Sequence, residues 1–322
     1  MDFKDFTAGK DDDGRRFDRI LRIFLSDKGL PEIYKLVRKG LVKLNNKKAK
    51  PETHVNAGDL ISIAAFLLEN NDKDEKTETS SAKPVDLDIV FENQHLLIIN
   101  KPYGRSVHGS DENSLDKAVL SYYESKKAGN KDSLSFRPGP LHRLDKNTTG
   151  LLVFSMSIEG ARWFCDGIKN HTIHKKYFGL AEGDFTGKEI WQDKLSDSEN
   201  TTQEGFFTVK ADENGLDAYT EVRALANGKY KGMPVTLCEY SIKTGRKHQI
   251  RAQSFIHGHP LLGDSAYGSK LICDGKRDFY LQAFELDFPE NNPLELPPFI
   301  KIGLSSDFSG ILDCCEIKNP GL

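Results

Sequence analysis

The sequence has no apolar run approaching the roughly 18 residues that a membrane helix needs, and its first 14 residues are acidic and polar. We therefore expect neither a membrane span nor a secretory signal. Cysteine is also scarce, with five in 322 residues and no CxxC pair among them. These features disfavour a disulfide framework and a zinc site of the usual spacing, and they predict a reducing, cytoplasmic setting.

The net charge is small as well, at −3, but it is unevenly distributed. Residues 15–50 contain 12 Lys and Arg against 3 acidic residues, a net charge of +9, whereas residues 69–92 contain 8 acidic against 3 basic residues. A basic segment in an otherwise acidic chain indicates a nucleic-acid partner. The composition, 38% hydrophobic and 29% charged, is that of an ordinary globular protein, and the length predicts about two domains.

The basic segment begins with a helical pattern, since apolar residues recur from Phe17 to Leu25 at the spacing of one helix face. A second short helix is predicted between Pro31, which suits a first turn, and Gly40, which suits a C-cap. Strands are predicted at 41–44 and 59–63. We expect residues 1–14 to be disordered, residues 15–68 to form a small module, and the charged, Ser- and Thr-rich residues 69–84 to be a flexible linker.

Several stretches of this module resemble the S4 domain, a small RNA-binding fold. They are residues 16–21 (Arg-Phe-Asp-Arg-Ile-Leu), residues 36–45 (Leu-Val-Arg-Lys-Gly-Leu-Val-Lys-Leu-Asn), Lys50-Pro51 and Ala57-Gly58-Asp59. The resemblance implies that helical basic residues dock on folded RNA, where phosphate contacts give a salt-dependent affinity. The RNA-binding residues predicted here are Arg16, Arg38, Lys39, Lys43, Lys47 and Lys48.

Residues 85–322 predict one α+β domain with a mixed, mainly antiparallel sheet and flanking helices, because most strands are joined too briefly for parallel crossovers. Strand patterns occur at 86–91, 96–100, 151–155, 177–181, 206–210, 218–226, 235–243 and 279–288. Helices are predicted at 115–123 and 157–170, and from the turn at 244–251 to about residue 258. Residues 184–217 hold 9 acidic and 3 basic residues and are predicted to be solvent-facing loops broken by a strand.

One stretch of this domain joins a polar loop to a buried strand. Residues 142–150 (His-Arg-Leu-Asp-Lys-Asn-Thr-Thr-Gly) precede the apolar run Leu151-Leu152-Val153-Phe154, so Asp145 lies on a loop that enters the core. Considered alone, an Asp followed by Thr-Thr-Gly is most often a turn or cap residue. The motifs elsewhere in the chain change that interpretation.

Residues 142–150 resemble the signature of the RluA-type pseudouridine synthases, and further motifs of that family occur in the expected order. They are residues 100–104 (Asn-Lys-Pro-Tyr-Gly), 175–177 (Lys-Lys-Tyr), 244–251 (Thr-Gly-Arg-Lys-His-Gln-Ile-Arg) and 258–264 (Gly-His-Pro-Leu-Leu-Gly-Asp), with Tyr267-Gly268. Together with an S4 domain, the set looks most like the RluC/RluD branch, and like RluC in particular. Thr149, Ala252-Gln253 and Gln282 depart from the usual Ser, Val-His and His of the family, and none of these changes removes a catalytic group.

The resemblance implies that Asp145 is the catalytic aspartate, that Tyr177 stacks on the target base, and that Arg251 pairs with the aspartate. A carboxylate that acts on a sugar carbon must be ionised, and a neighbouring guanidinium favours the ionised form. A flipped-out uridine needs an aromatic face, and whether Tyr177 also acts as a base stays open. The substrate-binding residues implied in addition are Ile250 beneath the base, Arg143, Thr148, Arg246 and His248.

The implied function is isomerisation of specific uridines to pseudouridine in large-subunit ribosomal RNA. This reaction is redox-neutral, so we expect no metal, nucleotide or other cofactor, and we expect a cytoplasmic monomer with RNA as partner. Two alternatives stay open, a synthase acting on tRNA and a non-catalytic S4-type RNA-binding or ribosome-assembly factor. His257 and His259 suggest a metal by residue type alone, but no third ligand occurs at a fitting spacing, and no metal site is predicted.

Overall fold

The computed structural model describes residues 1–68, 86–109, 111, 113–126, 133–134, 136–201, 207–273 and 277–318. The predicted linker at 69–84 lies outside the described residues. The chain forms two compact units, the first from residues 1–85, 117–139 and 156–159 and the second from 86–116, 140–155 and 160–322. None of the helices in the described residues combines the length and apolar character that crossing a membrane requires.

The helices of the described residues are α1 (Phe17–Phe24), α2 (Leu30–Lys39), α3 (Leu115–Lys126), α4 (Ile158–Lys169), α5 (Gln249–Ile256) and α6 (Ser306–Cys314). The strands are β1 (Phe3–Thr7), β2 (Arg15–Arg16), β3 (Val42–Leu44), β4 (His54–Val55), β5 (Leu60–Ala64), β6 (Ile89–Glu92), β7 (Leu96–Lys101), β8 (Thr149–Ser155), β9 (His174–Glu182), β10 (Lys188–Thr201), β11 (Phe207–Ala211), β12 (Leu216–Tyr230), β13 (Met233–Ile242), β14 (Leu281–Asp287) and β15 (Phe299–Lys301).

The first unit contains the two helices and short strands that the sequence predicts for its basic segment. The sheet order is β1-β5-β3, and the apolar faces of α1 and α2 join its core, where Ile20, Leu21 and Ile33 have no exposed surface. α2 ends at Gly40, whose left-handed backbone (φ 74°) makes it the predicted C-cap.

Residues 1–14 differ from the predicted disorder. β1 pairs antiparallel with β5, and Phe3 and Phe6 pack against the core of the first unit. Asp12 is fully buried and accepts hydrogen bonds from the Leu134 backbone N–H at 2.8 Å and the Ser133 hydroxyl at 3.1 Å. The acidic composition of this segment conceals two aromatic side chains that a sheet edge can bury, and the buried carboxylate is stabilised by its donors.

The second unit is built on a ten-stranded sheet in the order β11-β10-β12-β13-β9-β14-β8-β7-β6, with β15 paired to β14. Among the strand pairs of the described residues, β8 and β14 run parallel and the others run antiparallel. The predicted mixed, mainly antiparallel sheet is therefore confirmed. Its interior strand β8 has all seven residues buried, as expected for the apolar run after residue 150.

The acidic stretch 184–217 is mostly strand, so the prediction of loops there is wrong in its larger part. β10 pairs with β12 from Lys188 opposite Arg223 to Leu195 opposite Leu216, and the side chains of Trp191 and Leu195 are buried. Pairing through backbone groups tolerates charged side chains on an exposed face. β15 and α6 follow the last predicted strand and were also missed.

Candidate active site

A cavity of about 410 Å³ opens beside the loop of Asp145, within the second unit. Its volume is typical of small-molecule sites, which measure roughly 300–1,000 Å³. Three side chains that the sequence motifs single out, Asp145, His248 and Arg251, meet there. The residues that line the cavity are Asp145, Lys146, Asn147, Lys247, His248, Arg251, Asp264, Ser265, Ala266, Asp278 and Phe279.

The loop of Asp145 is held by a buried lysine at the end of β7. Lys101 has no exposed surface, and its ammonium donates to the carbonyls of Pro102 at 3.1 Å, Lys146 at 2.7 Å and Thr148 at 2.8 Å. Burial lowers the pKa of Lys101 to about 7, against the raising effect of the Asp145 charge. Three carbonyl acceptors match the three N–H bonds of an ammonium, so the protonated form satisfies this geometry completely.

The same loop ends at a position that only glycine can occupy. Gly150 has φ +104°, and a Cβ atom added to it would lie 2.0 Å from the carbonyl oxygen of Ala283. Ala283 is its partner in the parallel pairing of β8 with β14. The close approach of two backbones therefore fixes the point at which the loop becomes a strand.

Arg251 links two carboxylates. Its Nε and Nη2 donate to Asp264 at 2.7 and 2.8 Å, a bidentate pair, and its Nη1 lies 3.5 Å from Oδ2 of Asp145. Burial alone would lower the pKa of Arg251, but the hydrogen bonds and charge of Asp264, with the charge of Asp145, raise it overall. The guanidinium is thus permanently charged and held in one orientation beside Asp145.

Two aromatic rings enclose the same guanidinium. Its central carbon lies 4.9 Å from the ring centre of Tyr267 and 4.4 Å from that of Phe279. Such cation–π contacts contribute roughly 0.5–2 kcal/mol each when they are shielded from water. They leave Arg251 little freedom to turn away from Asp145.

His248 faces the other oxygen of Asp145, with its Nε2 3.8 Å from Oδ1. Burial, together with the charges of Arg251 and Lys247, lowers the pKa of His248 to about 4 against the raising effect of Asp145. The imidazole is therefore neutral near pH 7, and the contact is not an ion pair. Arg251 is the cation that faces Asp145.

Tyr177 is buried on β9, between Tyr240 of β13 and Ala283 of β14 in register. Burial raises the pKa of Tyr177, and the negative charge of Asp145 raises it further. Its hydroxyl therefore keeps its proton at neutral pH. Tyr177 is not among the residues that line the cavity.

Four other predicted substrate contacts also lie outside the cavity lining. Thr148 and Ile250 are buried, and the Thr148 hydroxyl has no hydrogen-bond partner in the described part of the chain. Arg143 is exposed, and Arg246 donates through Nε to the Asp217 carbonyl at 2.9 Å. The structure therefore brings His248, but not these four, to the surface of the cavity.

Several residues in the cavity lining or in contact with it were not assigned a role from the sequence. Asp264 and Tyr267 belong to the motif at 258–268, which could have drawn attention to them. Asn147 donates to the carboxylate of Asp278, whose backbone N–H donates to the Tyr103 hydroxyl at 2.9 Å. Asp278 lies in no recognised motif, so only the folded chain reveals it.

The predicted RNA-binding residues of the first unit fall into two groups. Four of them are exposed and make no ion pair or side-chain hydrogen bond within the described residues: Arg38, Lys39, Lys47 and Lys48. Lys43 lies over the ring of Phe3 at 4.3 Å. Arg16 instead donates to Asp18 through Nε at 3.1 Å and Nη2 at 2.6 Å, which leaves it less available to phosphate.

In the described residues, no three His, Cys, Asp or Glu side chains are grouped so that they could hold a metal ion. His257 bonds the Asp193 carboxylate at 3.1 Å, and its ring stacks on Trp191 at 4.8 Å. His259 bonds the Glu182 carbonyl at 3.1 Å. Each of the two histidines thus has its own structural partner.

Comparison with known proteins identifies relatives of both units. Residues 95–254 match the RNA pseudouridylate synthase family, and residues 15–61 match the S4 domain. A protein of Vibrio vulnificus (strain CMCP6), named ribosomal large subunit pseudouridine synthase C, is 31% identical over 267 residues, 80% of this chain and 78% of that protein. Its namesake in Haemophilus influenzae is 30% identical over 298 residues, 89% of this chain and 88% of that protein.

Solved structures show the same fold at lower identity. Human RNA pseudouridylate synthase domain containing 4 is similar with a TM-score of 0.57 and 22% identity, over 72% of this chain and 94% of that one. Human RNA pseudouridylate synthase domain containing 1 has a TM-score of 0.56 and 22% identity, over 74% of this chain and 90% of that one. At this identity the likeness concerns the fold alone.

Proposed function

Since this chain belongs to the RNA pseudouridylate synthase family, we propose that it isomerises specific uridines of large-subunit ribosomal RNA to pseudouridine. A protein that converts uridine to pseudouridine in RNA is an isomerase, and its partner is RNA. Relatives that match 80% or more of the chain carry the name ribosomal large subunit pseudouridine synthase C. Their names favour ribosomal RNA over tRNA as substrate, and catalysis over RNA binding alone.

In this proposal Asp145 is the nucleophile. A carboxylate oxygen attacks C1′ of the flipped-out nucleotide, and the N1–C1′ bond breaks with its electron pair left on N1 of the uracil. The uracil then turns, C5 bonds to C1′, and the carboxylate leaves. Loss of the proton from C5 and gain of a proton at N1 complete an isomerisation without change of oxidation state.

Arg251 and Tyr177 have supporting roles. The Nε and Nη2 groups of Arg251 are bound to Asp264, so its Nη1 group faces Asp145. The fixed positive charge of the guanidinium stabilises the negative charge of the carboxylate. Tyr177 enters the reaction with its proton in place, because both burial and Asp145 raise its pKa. A neutral phenol ring suits stacking on the target base better than it suits proton abstraction. Because Tyr177 lies outside the cavity lining, stacking requires the base to reach beyond that lining.

The division of labour between the units is also part of the proposal. In the proposal the S4 RNA-binding domain of residues 15–68 belongs to the first unit, with Arg38, Lys39, Lys47 and Lys48 as the phosphate contacts. The catalytic domain is placed in residues 85–322, of which 86–116, 140–155 and 160–322 form the second unit, with the cavity. The enzyme acts as a cytoplasmic monomer without a cofactor, consistent with five free cysteines and with a reaction that neither oxidises nor reduces its substrate.

One observation carries the assignment, the Asp145 carboxylate 3.5 Å from the guanidinium of Arg251 in the wall of a cavity that could admit a nucleotide. The test uses Asp145→Asn with large-subunit ribosomal RNA labelled as 5-³H-uridine, since pseudouridine formation releases the tritium. We expect no release, an unchanged melting temperature within roughly 2 °C and unchanged RNA affinity. Asp184→Asn, at an exposed position, is the matched control. Tritium release by the Asp145→Asn variant would refute the role of Asp145 as nucleophile. Tritium release by the wild-type protein from tRNA but not from ribosomal RNA would refute the proposed substrate.

A further inference from the structure

Tyr267 fixes the tautomer of His248. The Tyr267 hydroxyl accepts a hydrogen bond from the Val209 backbone N–H at 2.8 Å and lies 2.9 Å from Nδ1 of His248. The described residues offer the hydroxyl proton no other acceptor, and burial raises the pKa of Tyr267, so the proton is present. The phenol therefore donates to Nδ1, and the proton of the neutral imidazole must be on Nε2.

The backbone is shaped to hold this histidine in place. His248 stands at the N-terminal end of α5 with φ 51°, in the left-handed region that residues other than glycine rarely adopt. Such a conformation costs free energy and persists where neighbouring contacts impose it, which is common at functional sites. Here it directs Nε2 toward Oδ1 of Asp145.

We propose that Tyr267 and His248 are positioning residues for Asp145, with the Nε2–H of His248 as the hydrogen-bond donor to Oδ1. This inference rests on the proposed role of Asp145 as nucleophile. Arg251 Nη1 faces Oδ2 at 3.5 Å and His248 Nε2 faces Oδ1 at 3.8 Å, so each carboxylate oxygen faces one nitrogen. Both distances exceed those of a normal hydrogen bond, so the proposal requires the two contacts to tighten when RNA fills the cavity, as catalytic contacts often do.

A neutral donor serves this purpose better than a cation would. A hydrogen bond from an uncharged imidazole orients the carboxylate but does not offer it an acidic proton. The charged groups that act on His248 are Asp145, Arg251, Lys247 and Arg143. Three of these four are positive, which opposes a second positive charge on the ring.

The first test reads the tautomer without using activity. Protein labelled with ¹⁵N-histidine is examined by long-range ¹H–¹⁵N NMR at pH 7, and the His248 signal is identified by its loss in His248→Gln. We expect a neutral ring with the proton on Nε2. A proton on Nδ1, or a charged ring at pH 7, would overturn the inference. Because no RNA is present, this result is independent of the proposed function.

The second test distinguishes positioning of Asp145 by His248 and Tyr267 from a purely structural role of these two residues. His248→Gln can place an amide N–H near the position of Nε2, whereas His248→Ala cannot. We expect kcat to fall about 10-fold to 100-fold in His248→Ala and in Tyr267→Phe, with KM unchanged and with partial recovery in His248→Gln. Equal losses in Gln and Ala variants, or a loss confined to KM, would contradict positioning of Asp145. Inactive wild-type protein would instead count against the proposed function.

Discussion

Asp264 holds Arg251 by two hydrogen bonds of 2.7 and 2.8 Å, and only 1% of its own surface is exposed. A buried pair of this kind leaves an uncompensated charge when one partner is neutralised, at a cost of roughly 3–5 kcal/mol. We predict that Asp264→Asn lowers the free energy of unfolding by about 3 kcal/mol and reduces tritium release by about 100-fold, because Arg251 no longer keeps its position beside Asp145.

The measurements for this prediction are urea unfolding and initial rates on labelled ribosomal RNA. Asp184→Asn removes the same charge from an exposed position and is expected to change neither. A stable Asp264→Asn enzyme with wild-type activity would mean that Arg251 is oriented by its aromatic neighbours alone.

The tether from Lys101 to the loop of Asp145 can be tested by removing its charge. Lys101→Met keeps the apolar stem but leaves the carbonyls of Lys146 and Thr148 without their donor, at a cost of roughly 1–3 kcal/mol for each buried group. We predict lower stability and a kcat reduced by at least about 10-fold, since the loop becomes less ordered. Hydrogen exchange of residues 145–149 should rise, and the exposed Lys229→Met is the control. Unchanged hydrogen exchange at residues 145–149 would show that the loop stays ordered without the ammonium of Lys101.

Acid should destabilise the fold partly through His142. Burial, together with the charge of Lys175, lowers the pKa of His142 from 6.5 to about 3. The Nε2 of His142 accepts a hydrogen bond from the Val153 backbone N–H at 3.2 Å. Between these two pKa values the unfolded chain binds a proton that the folded one does not. The contribution of His142 is therefore complete above pH 6.5 and is lost as the pH falls toward 3.

The check is urea unfolding of wild type and His142→Gln across this pH range. The variant should take up about one proton fewer on unfolding, so its stability falls less steeply with acid. His108→Gln, at an exposed position, should follow the wild-type curve. If the free energy of unfolding depends on pH in the same way for wild type and His142→Gln, His142 does not contribute to the loss of stability in acid.

RNA binding by the first unit should depend on salt through its exposed cations. Each phosphate contact contributes about 0.7–0.9 to the slope of log affinity against log salt. We predict that replacing Arg38, Lys39, Lys47 and Lys48 together by Gln lowers the slope by about 2–4 and weakens binding to ribosomal RNA. The control is Lys169→Gln with Lys229→Gln, two exposed lysines of the second unit. An unchanged slope of log affinity against log salt would show that RNA phosphates do not contact these four side chains.

Local sequence patterns identify some residues of this site but not others. The motifs at 142–150 and 244–251 identify Asp145, His248 and Arg251, which the fold brings to one cavity. The pairing of Arg251 with Asp264 depends on how two segments approach one another, which no local pattern encodes. β10 was missed for a related reason: its charged residues resemble a loop, and the pairing with β12 that makes it a strand joins residues distant in the sequence.

The contact between Gly150 and Ala283 has a consequence for the order of synthesis. Asp145 leaves the ribosome well before β14 and α5, yet its loop is completed by pairing with β14 and faces a guanidinium on α5. Chains are made from the N-terminus onward. A nascent chain therefore carries Asp145 before it has made the strand and the guanidinium that complete the surroundings of this residue.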